Sequence, residues 1–320
     1  MTITNRTALV LGATGGVGGE TAAALIRRGW EVRALVRDPA SAARRWPFPD
    51  TAPVWIAGDA MDAGSVLRAA EGCAVIVHGV NPPGYRDWEK LVVPMLENTI
   101  AAARSVGARV VLPGTVYNYG PDAFSDPHEA APQNPTTKKG RLRVEMEQRL
   151  AVAAAQRVPV LILRCGDFFG PRTRNSWFAQ GLVKPEGRLK AIADPGAGTG
   201  HQWAYLPDVA ETIVRLLERD DLPTLARFHF EGFWDADGRG MIEAIREGVG
   251  RAVPVKGFPW WLLPLAAPFN TTLRELKEMR YLWRVPLHMR NTQLVAFLGM
   301  EPRTPLPQAV RATLAGLHIS

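Results

Sequence analysis

Gly12, Gly15 and Gly18 recur at three-residue intervals in the stretch Gly12-Ala13-Thr14-Gly15-Gly16-Val17-Gly18, directly after the aliphatic run Thr7 to Gly12 (TALVLG). The run reads as a short buried strand, and the segment from about Gly16 to Arg28, closed by Gly29, reads as a helix. A strand that turns at once into a helix leaves the first backbone N–H groups of that helix unpaired and facing outward. Those groups and the helix dipole suit a pyrophosphate, and a Cβ at the closest approach would hold the phosphates off. Thr14, Gly15, Gly16 and Val17, flanked by Gly12 and Gly18, are therefore expected to cradle a dinucleotide. A second strand follows at Glu31 to Arg37 (EVRALVR). NAD sites commonly place a carboxylate at the end of this strand, on the ribose hydroxyls. Here the strand ends Val36-Arg37, with Asp38 next, and a guanidinium can fork onto a 2′-phosphate. Arg37 thus points to NADP(H) rather than NAD(H).

The elements that must hold this loop follow in a regular order. Val54 to Ala57 reads as a strand, Gly58-Asp59 as a polar turn, and the residues around Ala63 to Ala70 as a helix. Ala74 to His78 (AVIVH) is a fourth strand. Trp88, Leu91, Val92, Met95, Leu96 and Ile100 recur at helical spacing in a segment reaching about Ser105, with a kink expected at Pro94. Arg109 to Leu112 and Val158 to Leu163 supply two more strands, separated by a helix from about Lys138 to Ala155. Strands alternating with helices call for an α/β fold with a doubly wound parallel sheet. After Gly170 the pattern loosens: 171–200 is rich in Gly, Pro and Arg, Asp208 to Glu218 is helical, and Phe228 to Phe230 is a short strand. The last third mixes helices and proline-rich turns with a cluster at Trp260, Trp261 and Trp283. The expected division is a dinucleotide-binding domain from 1–170 plus 201–231 and a smaller substrate domain from 171–200 plus 232–320, standing over the carboxyl edge of the sheet.

Composition narrows the class. With 47% hydrophobic and 22% charged residues over 320 positions, the chain can bury a real core. Cys73 and Cys165, its two cysteines, sit in strand-like surroundings and read as buried free thiols in a reducing compartment. The start lacks the apolar stretch of a signal peptide, and the longest apolar run, Pro259 to Phe269, is short and broken by Pro264 and Pro268. A cytoplasmic protein without a membrane span is expected. The net charge of +7 is spread among interleaved acids, so it suits phosphate-bearing small molecules better than nucleic acid. The six histidines show no metal-ligand spacing. His78 and His201 read as packing or surface residues, and Phe258, Trp260, Trp261, Leu262 and Phe269 as core.

The glycine spacing resembles the short-chain dehydrogenase/reductase superfamily, in particular its extended and atypical branches, which include the NAD-dependent epimerase/dehydratase family. The resemblance continues through Gly58-Asp59-Ala60, where family members touch the adenine, and His78-Gly79-Val80 after the fourth strand. It extends to Arg164 through Pro171 (RCGDFFGP), Trp203 through Ala210 (WAYLPDVA) and Leu298-Gly299-Met300-Glu301-Pro302. It implies cofactor contacts at Asp59, Ala60, Gly79, Val80, Gly166 and Phe168, and a homodimer built from the helices near 87–105 and 138–156.

The family carries a Ser or Thr after the fifth strand and a Tyr-x-x-x-Lys helix, in which tyrosine moves the proton and lysine holds the nicotinamide ribose and lowers the tyrosine pKa. Leu112 to Gly120 (LPGTVYNYG) places Thr115 at the serine position. Pro135 to Arg143 (PTTKKGRLR) places Lys139 where the tyrosine belongs and Arg143 where the lysine belongs. Arg143 can donate to ribose hydroxyls. Lys139, one helical turn from Arg143, is one candidate proton donor. Tyr117 is the other: if the strand stays extended past Thr115, both residues face the same way. These features imply an NADP(H)-dependent oxidoreductase acting on a carbonyl or hydroxyl of a small molecule. The alternatives are a sugar-nucleotide-type epimerase or dehydratase, and a non-catalytic NADP(H) sensor acting through a protein partner.

Overall fold

The computed structural model describes residues 5–82, 88–262 and 278–320. Its centre is a seven-stranded sheet in the order β3-β2-β1-β4-β5-β6-β10, parallel throughout. The strands are β1 (Thr7–Leu11), β2 (Glu31–Val36), β3 (Val54–Ala57), β4 (Val75–His78), β5 (Arg109–Thr115), β6 (Val160–Cys165) and β10 (Leu225–Phe230). Alternation along β1 shows why they are apolar on both sides. Ala8 and Val10 pack with α1 (Gly16–Arg27) and α6 (Leu206–Leu217), whereas Leu9 and Leu11 pack with α3 (Ala63–Ala70), α4 (Trp88–Val106) and α5 (Lys138–Ala155). α4 continues through Pro94.

A smaller sheet runs β11-β9-β7, with β7 (Asp167–Phe169) parallel and β11 (Phe233–Asp235) antiparallel to β9 (His201–Tyr205). β8 (Ile192–Asp194) pairs in parallel with β12 (Val255–Gly257). The third apolar cluster joins Phe169, Trp177, Phe178 and Trp203 to Met241, Ile245, Trp283 and Val310. The other α-helices named among the described residues are α2 (Pro39–Arg44), α7 (Arg239–Val249), α8 (Thr292–Leu298) and α9 (Leu306–Gly316). Two carboxylates tie the end of the chain back: Asp208 accepts from the Thr304 amide and hydroxyl, and Glu301 accepts from the amides of Glu231 and Gly232.

Both cysteines are buried and free. The aromatic set expected in the core divides. Phe258 and Trp260 pack against the third cluster, but Trp261 is 71% exposed, a correction that follows from its place in a three-residue 3-10 turn whose neighbour Trp260 takes the inward position. Phe269, Pro264 and Pro268 lie outside the described residues. Among the described residues no helix is long and apolar enough to cross a membrane.

Candidate active site

The glycines close the turn between β1 and α1 by letting backbones touch. Gly12 has φ +83°, and a Cβ there would lie 2.5 Å from the Gly79 carbonyl oxygen beyond β4. A Cβ on Gly18 would lie 2.3 Å from the Gly12 oxygen. Gly15 differs, since its Cβ would meet only the Gly12 oxygen, at 3.3 Å, so the loop is open on that side. Gly15 also caps α1 without a side-chain hydrogen bond, and the first turn holds no acid. The N–H groups of Gly16 and Val17 are thus left to a ligand, with Thr14 beside them, and an anion is the ligand that the helix dipole favours. This cradle fits a dinucleotide diphosphate.

At the end of β2, Arg37 is exposed and makes no ion pair among the described residues. Asp38 is committed elsewhere, because its Oδ1 accepts from the Ser41 amide at 2.9 Å and caps α2 (Pro39–Arg44). After β3, Asp59 Oδ1 accepts from the Met61 amide at 2.9 Å, and the Ala60 oxygen accepts from Asn98 at 2.9 Å. Val80 follows Gly79 at the rim of β4. Gly166 abuts the Gln202 backbone, where a Cβ would come within 2.3 Å, and Phe168 packs half-buried under the main core. Arg172 was not among the expected residues. Its guanidinium bonds Glu20 of α1 at 2.8 Å and lies 3.9 Å over the Phe48 ring. Burial pushes the Glu20 carboxyl up, and Arg172 opposes that shift.

β5 ends at Thr115, and the chain does not stay extended as the alternation argument required. Val116–Asn118 is a 3-10 turn in which Thr115 Oγ1 accepts from the Tyr117 amide at 3.3 Å. The cap bends the backbone, so Tyr117 departs from the Thr115 face and carries its hydroxyl to within 3.3 Å of Asp167 Oδ1 on β7. Asp167 Oδ2 lies 2.9 Å from His201 Nε2 on β9, and His201 Nδ1 lies 3.3 Å from the Leu282 carbonyl oxygen. The His201 ring stacks on Trp283 at 3.7 Å and 4°. A small pocket lined by Val116, Gly166, Asp167, His201, Gln202 and Leu287 lies here. His201, expected as a packing or surface residue, is buried but held in a polar chain. Asp167 lies within RCGDFFGP, yet only the pairing of β7 with β9 reveals its link to His201.

Lys139 and Arg143 occupy the first turns of α5, which Thr137 caps by accepting from the Gly140 amide at 3.0 Å. Lys139 is buried, with Nζ 6.0 Å from the centre of the Trp88 ring, and the Arg143 guanidinium is 5.2 Å from the same ring. Below them His78, whose Nδ1 is 2.8 Å from Thr99 Oγ1, is pushed down to about 3 by burial, with the Arg143 charge adding to the effect. Gly140 joins the two groups of candidates: a Cβ there would sit 2.5 Å from the Tyr117 carbonyl oxygen, so α5 starts against the Tyr117 backbone.

A buried network fixes α5 in that position. Arg164 of β6 makes a two-point pair with Glu147 of α5, at 3.0 and 2.6 Å, and donates to Tyr119 Oη at 2.7 Å and the Glu129 oxygen at 2.9 Å. Tyr119 Oη lies 2.5 Å from His229 Nε2. Burial disfavours the Arg164 charge, yet the Glu147 bonds and charge outweigh it and hold the guanidinium above its usual range. Among the described residues no cluster of three or more His, Cys, Asp or Glu side chains could hold a metal.

The model of the NAD dependent epimerase/dehydratase family matches residues 8–226. Over 108 residues the chain is 34% identical to dihydroflavonol 4-reductase of Zea mays, an alignment covering 31% of this chain and 30% of the relative's length. Among solved structures, UDP-glucose 4-epimerase from Bifidobacterium longum in complex with NAD+ and UDP superposes with a TM-score of 0.75 at 14% identity, covering 96% of this chain and 97% of that one. UDP-glucose-4-epimerase from Stenotrophomonas maltophila, with bound NAD and formylated UDP-arabinopyranose, gives 0.74 at 18% identity and 98% of each chain. These likenesses are of the fold.

Proposed function

Because this chain belongs to the NAD dependent epimerase/dehydratase family, and is thereby an NAD(P)-dependent oxidoreductase or epimerase/dehydratase, we propose that it is an NADP(H)-dependent reductase of a carbonyl, or oxidant of the matching hydroxyl, on a small organic molecule. The observation that carries the reading is the Tyr117 hydroxyl, held 3.3 Å from Asp167 in the turn that follows Thr115 and against the start of α5. The bound nicotinamide would exchange a hydride with the substrate carbon. Tyr117 would move the proton of the substrate oxygen, and Thr115, whose Oγ1 accepts from the Tyr117 amide, would hold the turn that carries it. Arg143 and Lys139, both over Trp88, would supply positive charge, Arg143 donating to the nicotinamide ribose. The phosphates would lie on Gly12, Thr14, Gly15, Gly16, Val17 and Gly18, and the adenine near Asp59 and Ala60. Gly79, Val80, Gly166 and Phe168 would border the rest of the cofactor. The substrate would reach this edge under segments 171–200 and 232–320. Two buried free thiols suit the cytoplasm.

Assaying the purified protein with NADPH and NADH against a panel of carbonyl compounds tests this reading. Net NADPH oxidation supports it. Turnover of a sugar nucleotide without net cofactor change selects the epimerase alternative, and cofactor binding without any turnover selects the sensor. Cofactor choice rests on Arg37, exposed and unpaired among the described residues, beside an Asp38 already used as a helix cap. NADPH is expected to bind more tightly than NADH, and Arg37→Ala to weaken NADPH by about 1.5 to 3 kcal/mol, roughly 10- to 100-fold, with little effect on NADH. Calorimetric titration of both cofactors reads the difference, and equal affinities in the unmutated protein would remove the argument.

The same reading includes a homodimer through α4 and α5. Its support, besides the resemblance, is a groove between those helices where Val152 is 58% exposed beside Ile100 and the Arg149–Glu97 pair. Light scattering is expected to give twice the chain mass, and a monomer at micromolar concentration would end the idea.

A further inference from the structure

A carboxylate and an imidazole, Asp167 and His201, stand in line behind the Tyr117 hydroxyl. We infer that Asp167 and His201 form a proton store for Tyr117, a positioning pair that orients the phenol and returns its proton after each turnover. This rests on the reading of Tyr117 as the proton-transferring group.

The hydrogen-bond inventory leads there. A carbonyl oxygen only accepts, so His201 Nδ1, 3.3 Å from the Leu282 oxygen, carries a hydrogen. The 2.9 Å contact between His201 Nε2 and Asp167 Oδ2 also needs a hydrogen, whichever atom owns it. One proton is therefore shared between carboxylate and ring, in addition to the one on Nδ1. Asp167 Oδ1 remains to accept from the Tyr117 hydroxyl at 3.3 Å. The ring cannot swing away, because it is stacked on Trp283 and packed against Trp203 at 4.8 Å. Among the described residues, Tyr281 also feels the Asp167 charge. Burial pushes its phenol up, and the charges of Asp167 and Glu278 add to that shift. Tyr281 therefore stays neutral and does not compete for the shared proton.

In the reducing direction the carbonyl carbon would receive a hydride, with its two electrons, from a bound dihydronicotinamide. The Tyr117 O–H turns from Asp167 Oδ1 to the substrate oxygen and breaks as the substrate O–H bond forms. The proton shared with His201 settles on Asp167 Oδ2, the carboxyl group turns about its Cβ–Cγ bond, and this O–H breaks as the Tyr117 O–H re-forms. Asp167 is left a carboxylate, His201 keeps its Nδ1 hydrogen, and the pair takes one proton from solvent. The oxidising direction runs the same transfers in reverse.

Two measurements on the full chain decide it. Nitrogen NMR of the His201 ring, with NADP+ bound and no substrate, is expected to show hydrogen on Nδ1 and a strongly deshielded proton shared at Nε2. In Asp167→Asn that shared proton should vanish while Nδ1 keeps its own. An unprotonated Nδ1 in the unmutated protein would overturn the inference. In turnover, His201→Ala is expected to lower kcat about 10- to 100-fold, the scale on which loss of an orienting partner acts, with KM for NADPH unchanged and with recovery on adding imidazole. A His201→Ala variant with full kcat, or a loss that imidazole leaves untouched, would overturn it as well. If no carbonyl is turned over at all, the proposed function fails, and the nitrogen measurement still decides the proton store.

Discussion

Tyr117→Phe is expected to lower kcat for carbonyl reduction by about 100- to 10,000-fold while NADPH binding stays near the unmutated value. That is the usual scale for removing a positioned proton donor. The substitution deletes only the hydroxyl, and the ring remains packed against the third apolar cluster. Lys139→Met, nearly isosteric, is expected to act differently. Lys139 Nζ lies over Trp88, and the residue is 4% exposed, so its loss removes a cation from the start of α5 without removing the phenol. Its effect should fall mainly on cofactor affinity. Steady-state kinetics of both variants, paired with NADPH titration, reads the contrast. A Tyr117→Phe enzyme with full turnover would shift the proton-transferring role to Lys139, and full turnover in both would end this scheme.

The largest effect on stability is expected from Glu147→Ala. It leaves the Arg164 guanidinium, 1% exposed, without the carboxylate that it meets at two points. Breaking a buried pair from one side typically costs about 3 to 5 kcal/mol, because an uncompensated charge stays behind. Urea unfolding of the variant against the unmutated protein measures this. Replacing both partners, as Glu147→Leu with Arg164→Met, should restore part of the loss, since no charge is then stranded, although Tyr119 and the Glu129 carbonyl still lose a donor. A loss below about 1 kcal/mol in Glu147→Ala would show that water reaches Arg164. The pair also anchors the middle of α5 to β6, so the variant that survives folding should show a raised KM for cofactor.

Much of the sheet was legible because β1, β4, β5 and β6 carry continuous aliphatic runs. The helices at 63–70 and 138–155 likewise fell where periodicity put them. The glycine turn after β1 was legible for a related reason, since Gly12 and Gly18 are required by backbone contact. The proposed catalytic corner was not. Thr115, Val116 and Tyr117 are good strand formers, and alternation extends them into β5, but one side-chain cap turns the chain instead. A hydroxyl that can cap is present whether or not it does so. Asp167 and His201 stand 34 residues apart, and β7 is too short to show any period of its own. Their proximity is a product of tertiary pairing, which no local pattern encodes. Arg172 reaches Glu20 across 152 residues for the same reason.

The strand order β3-β2-β1-β4-β5-β6-β10 has a consequence for how the molecule is made. β1 emerges first, β2 and then β3 extend one flank, and β4, β5, β6 and β10 extend the other in the order of translation. Each new strand therefore meets an edge already on display, and none has to be inserted between two neighbours that have paired. Parallel sheets are slow to form because their contacts join distant residues, and exposed edges of partial sheets invite aggregation. A ribosome delivering this chain avoids part of both difficulties. The growing edge is always the correct next partner.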